Sequence, residues 1–320
     1  MKRGKFIISM IAIIALFFLP ACSSKTLTNE KEEGKILVYT TVYPLQDFTE
    51  KIGGEFVQVE TVYPPGVDEH TYEPSQKDMI SLSNSDLFLY IGYGLEPFAE
   101  KAHGILEKEG VKVYAIGEGL VQEDHHDGDH RNEEENDHDH DGHHHGSINP
   151  HFWLDPIYAK EMAKRIMETL TELMPENEAY FKENYLQLEG KFDEINASFE
   201  EVASRSQLKT FLVSHAAYDY WAERYGLTQL SISGMSTSQE PSQRELANIV
   251  DKVKKSGIKH ILVEQNVNNQ LAEVIAKEAK ITKLSIHNLS VLTDEDIKKQ
   301  EDYFSLMDKN IETLEKALNP

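Results

Sequence analysis

Residues 176–206 read ENEAYFKENYLQLEGKFDEINASFEEVASRS. Tyr180, Tyr185, Leu188, Phe192, Ile195 and Phe199 recur at intervals of three to five, the spacing that places apolar side chains on one face of an α-helix. A helix of about 28 residues is about 42 Å long, more than one small domain needs. The stretch predicts a long rigid helix over 176–205 that joins two lobes. Met174-Pro175-Glu176 separates it from an earlier helical stretch that begins near Asp155.

On both sides of this helix the chain alternates strand and helix. Before it come the strand KILVYTTVYPL, with its apolar core at 36–42 and Pro44 as its stop, and the alternating FVQVETVYP. Next are a helix SQKDMISLSNS capped by Ser75, the strand DLFLYIG, the helix LEPFAEKAHGILEKEG and the strand VKVYAIG. After it come TFLVS, AAYDYWAERYG, LTQLSI, PSQRELANIVDKVKKSG, HILVEQ, NNQLAEVIAKEAK, KLSI and a final helix. Such alternation predicts an α/β fold with two lobes, each a parallel sheet flanked by helices. The lobes are placed at 35–175 and 206–320. Ligands of such sheets bind at loops beyond the carboxyl ends of the strands.

The beginning of the chain, MKRGKFIISMIAIIALFFLPAC, carries Lys2, Arg3 and Lys5 ahead of an apolar run of 14 residues, 6–19. That run is short of the ~20 residues a membrane span needs and suits a secretory leader over 1–21. Leu19-Pro20-Ala21-Cys22 resembles a lipobox, with Cys22 as the lipid attachment site and 22–34 as a polar tether. The expected location is the extracytoplasmic face of the cell membrane. Cys22 is the only cysteine, so the exported part has neither a disulfide nor a thiolate metal site. Without the leader the chain has 29 basic and 55 acidic residues, a net charge of −26. It attracts cations and does not seek nucleic acid.

Eight of the fourteen histidines and ten acidic residues crowd into 123–145. With no aliphatic or aromatic residue from 124 to 146, this loop cannot form a core, and disorder with weak, exchangeable metal binding is expected over 123–146. Of the other histidines, His103 and His260 read as surface residues. His70, His151, His215 and His287 each stand at a strand end or in a loop.

GVDEHTYEPSQKD, NPHFWLDP, FLVSHAAYDYWAERYGL, SQEPSQREL and VEQNVNNQLAEVIAKE, in this order, resemble the metal-binding solute receptors of bacterial ABC transporters (cluster A-I), in particular their zinc-uptake branch. The resemblance runs from Lys35 onward. It implies a metal site in the cleft between the lobes, with His70, His151 and His215 as ligands. It also implies Zn²⁺ as cargo, and an ABC permease with its ATPase as partners of a monomeric receptor. A Mn²⁺ receptor and a metal-dependent adhesin are the alternatives within the family.

Three imidazoles suit four-coordinate Zn²⁺ and leave one position to fill. Many relatives supply a carboxylate there from a late loop, where this chain has Ser290. Glu69, His287, Asp294 and water are the candidates. A secreted zinc enzyme could use the same three ligands, but no HExxH helix is present.

Overall fold

The computed structural model describes residues 31–121, 148–236, 239, 241–265 and 270–320. The expected leader, Cys22 and most of the tether lie outside the described residues, as does the His/Asp/Glu-rich loop 123–146. Among the described residues no helix is long and apolar enough to cross a membrane.

The first half contains β1 (Ile36–Thr40), α1 (Tyr43–Gly53), β2 (Val57–Thr61), α2 (Gln76–Ser83), β3 (Leu87–Tyr90), α3 (Pro97–Lys108) and β4 (Lys112–Ala115). All its strand pairs are parallel, in the order β2-β1-β3-β4. The whole of β3 is buried, as expected for a parallel strand covered on both faces. Ser75 caps α2 in a reciprocal capping box with Asp78. Pro44 opens α1 rather than only ending a strand. A proline in the first helical turn loses nothing, because the N–H it lacks would have no intrahelical partner.

α4 (Pro156–Leu173) begins at Asp155, whose carboxylate accepts from the Ile157 and Tyr158 N–H groups. After a 3₁₀ turn at Pro175–Asn177 comes α5 (Glu178–Arg205), 28 residues long. The second half follows with β5 (Thr210–His215), α6 (Asp219–Tyr225), β6 (Thr228–Ser233), α7 (Gln243–Ser256), β7 (His260–Glu264), α8 (Gln270–Ala279) and β8 (Thr282–Ile286). Its sheet is also parallel, in the order β6-β5-β7-β8. The expected single final helix is two, α9 (Asp294–Lys299) and α10 (Tyr303–Leu318). Each has its own capping box, at Thr293 and at Asp302.

α5 packs against α1, α4, α6 and α10. Its buried face is the one expected from Tyr185 to Phe199, but at its start Tyr180 is exposed and the neighbouring Phe181 is buried instead. Phe192 meets Phe48 of the first half and Tyr303 and Phe304 of the second at ring separations of 5.2, 5.6 and 5.0 Å. One apolar core therefore runs through both halves. A smaller cluster covers the other face of the second sheet beneath α7 and α8.

Candidate metal centre

His215 is the last residue of β5, and its neighbour in the sheet, β7, ends in Glu264. These two strands flank the point where the strand order reverses, the usual ligand position in an open parallel sheet. His70 lies in the loop between β2 and α2, where its N–H donates to Asp68 Oδ1 at 2.9 Å. His151 precedes a 3₁₀ turn, Phe152–Leu154, that leads into α4.

The structure brings these three histidines together, 81 and 64 positions apart in the chain. The Nε2 atoms of His70 and His151 are 3.2 Å apart, and those of His151 and His215 are 3.4 Å apart. A tetrahedral ion with Zn–N bonds of 2.0–2.1 Å holds its ligand nitrogens about 3.3 Å from one another. The spacing fits.

The outer nitrogens decide the tautomers. His151 Nδ1 lies 2.7 Å from Asn149 Oδ1. That oxygen must be the acceptor, because Asn149 Nδ2 already donates to Ala216 O and Asp219 Oδ2 at 2.9 and 2.8 Å. His215 Nδ1 lies 2.7 Å from Glu264 Oε1, an ion-pair approach that favours a proton on the ring nitrogen although the two groups are not aligned as a hydrogen bond. Both Nδ1 atoms therefore carry hydrogen and both Nε2 lone pairs point into the same space. Two bare lone pairs at 3.4 Å would repel, so either a proton on one ring or a metal ion must lie between these atoms.

Burial lowers the His70 pKa to about 4, helped by the nearby His215, and holds His151 well below the usual imidazole value. Both rings are neutral and able to bind a metal. Burial also pushes His215 down, but Glu264 outweighs it and the net shift is upward. The basicity that attracts a proton there attracts a metal ion equally.

The other sequence candidates separate clearly. Glu69 is buried beside the triad, with Oε1 3.9 Å from His70 Nε2. His287 is not in the triad: its Nδ1 accepts from the Leu289 N–H at 2.9 Å and its Nε2 lies 3.1 Å from Asp296. Together with Asp294 it lines a cavity walled by Pro65, Gly66 and Asn310, which none of the three imidazoles reaches. Ser290 lies 2.8 Å from Glu69 Oε2. Among the described residues the triad is the one group of three or more metal-binding side chains with converging ligand atoms. Neither Asn149 nor Glu264 was singled out from the sequence. A carboxylate ending the otherwise apolar strand HILVE was the available signal for Glu264.

The His151 segment is tied to the second half although it follows the first sheet. Asn149 bonds Ala216, Tyr220 Oη donates to Asn149 O at 2.6 Å, and Arg224 pairs with Asp155 at 2.5 Å. Trp153 Nε1 donates to Asn288 O at 2.7 Å. His151 and His215 are thus braced against each other, and His70 is the least enclosed of the three.

Comparison with protein-family models matches residues 38–317 to the family described as "ZnuA: Zinc-uptake complex component A periplasmic". The chain is 34% identical over 314 residues to the zinc-binding lipoprotein AdcA of Streptococcus pneumoniae (strain ATCC BAA-255 / R6), covering 96% of this chain and 60% of that protein. It thus spans about three fifths of the length of that relative. It is 30% identical to the high-affinity zinc uptake system protein ZnuA of Bacillus subtilis (strain 168), with 97% of each chain covered. The crystal structure of the Zn(II)-bound ZnuA-like domain of S. pneumoniae AdcA superposes with a TM-score of 0.73 at 30% identity, over 90% of this chain and 100% of that one.

Proposed function

Because the chain belongs to the ZnuA family of zinc-uptake components, we propose that it is an extracytoplasmic receptor that captures one Zn²⁺ and delivers it to the permease of an ABC transporter. His70, His151 and His215 are the ligands, each through Nε2. The observation that carries this reading is the convergence of three imidazoles, the His70 and His215 Nε2 atoms lying 3.2 and 3.4 Å from that of His151 and all three ligand atoms within 4.8 Å of one another, with Asn149 and Glu264 against two of the outer nitrogens. Imidazole is a borderline ligand that favours zinc over Mn²⁺, which prefers oxygen. The fourth position belongs to Glu69 or to water.

A receptor must enclose its ion, whereas a zinc hydrolase must leave room for a substrate beside it. His151, His215 and Glu69 are all buried, which favours enclosure and a role without catalysis. Cys22 lipidation would keep the receptor at the outer face of the membrane near its permease. The acidic, His-rich loop would raise the local zinc concentration.

Calorimetric titration against a competing chelator tests the ligand set. The native chain takes up one tightly bound zinc ion. His70→Ala, His151→Ala and His215→Ala each lose that tight event. Native affinity in the His70 and His151 variants would reject the assignment.

A further inference from the structure

The turn over residues 287–291, which follows β8, holds Leu289 fully buried at φ +59°. That left-handed conformation is costly for a side chain of this size and persists only where the surroundings enforce it. The turn is enforced from several sides. Trp153 Nε1 donates to Asn288 O, the Tyr43 N–H donates to Ser290 O at 2.8 Å, and Asn310 brackets His287 through its N–H and its carbonyl.

On either side of Leu289, Asn288 and Ser290 reach the same carboxylate of the other half. Ser290 Oγ lies 2.8 Å from Glu69 Oε2 and 2.9 Å from Asn288 Oδ1. Asn288 Nδ2 donates to Glu69 Oε1 at 3.2 Å and to Glu264 Oε2 at 3.1 Å. Its two protons thus serve two buried carboxylates, one next to His70 in the chain and one in contact with His215. All four residues are buried. Moving Glu69 away from the turn would strip its carboxyl group of these donors, which a buried polar group does not tolerate cheaply.

We infer that Asn288 and Ser290 are positioning residues: by pinning Glu69 to the second half they hold the adjoining His70 in the triad, and so set how slowly a bound ion leaves. This rests on the zinc-receptor reading above. The backbone bonds from Tyr43 to Ser290 and from Gly66 to Leu292 do not need either side chain, so the halves stay joined when the turn's hydroxyl is removed.

The test is the rate at which zinc-loaded full-length protein loses its ion to excess chelator in stopped flow. Native protein is compared with Ser290→Ala, Glu69→Ala and the double variant. Ser290→Ala should still bind one ion with an unchanged association rate, and release it about tenfold faster. With Glu69 already replaced by alanine, the same serine change should alter release by less than about twofold, because the hydroxyl acts through that carboxylate. Unchanged release in Ser290→Ala would overturn the inference. So would an equal acceleration in the Glu69→Ala background, which would mark general loosening. A native chain without any tight one-ion site would instead overturn the receptor reading, and this inference with it.

Discussion

An imidazole can offer a metal either nitrogen, and what holds the other one decides the choice. Asn149 and Glu264 make that decision here, so Asn149→Ala should weaken zinc binding by about 10–100-fold while keeping one ion per chain. Chelator competition measures it; full native affinity would show the tautomer to be set elsewhere. Glu96 is a buried carboxyl outside the centre. Burial raises Glu96 to about 7, against the donors Ile91 N–H, Thr41 Oγ1 and Gly92 N–H. The fold thus holds a proton that the unfolded chain, with an ordinary value of 4.5, gives up earlier. The stability from this group is complete below that ordinary value and is lost as the pH rises through about 7. Glu96→Gln should flatten the fall in urea midpoint of metal-free protein between pH ~5 and ~8; an unchanged fall would contradict it. The histidines were legible because they stand at a strand end or in loops inside recognisable motifs. Asn149 and Glu264 were not, since their roles come only from what the folded chain brings near them.

At the level of elements, α5 shows how much a period can reveal. The spacing of Tyr185, Leu188, Phe192, Ile195 and Phe199 marks its buried face, and Pro175 marks the break before it. Local signals explain the misses as well. Pro44 stops a strand and starts a helix with equal ease, and α1 lay hidden behind the first reading. The separate capping boxes at Thr293 and Asp302 divide what periodicity alone joined. What the period could not show is that α5 serves one core rather than two. Phe192, packed against rings from both halves, is the place to test that. Phe192→Ala should cost about 3–5 kcal/mol. Denaturation followed by the fluorescence of Trp153 and Trp221 and by circular dichroism should remain a single coincident transition, shifted to lower urea. Two separated transitions would mean that the halves unfold independently.

Across the whole molecule, the three histidines of the triad stand apart in sequence from the eight crowded into 123–145. The eight in the acidic loop have no apolar residues with which to build a fixed geometry, whereas the triad is assembled from three distant loops and strand ends on a shared core. Removal of residues 124–146 should therefore leave the single tight zinc site intact while abolishing weak additional uptake, as counted by equilibrium dialysis. Loss of the tight site would reverse that division. The α/β class and the long helix follow from alternation and period, because those patterns are local. The convergence of Nε2 atoms from His70, His151 and His215 needs the completed fold. Anomalous diffraction from zinc-loaded crystals at the zinc absorption edge tests it most directly. One strong peak is predicted about 2.0–2.1 Å from the Nε2 atoms of all three histidines. A peak ligated by His287 and Asp294, or no ordered zinc at the triad, would contradict the assignment.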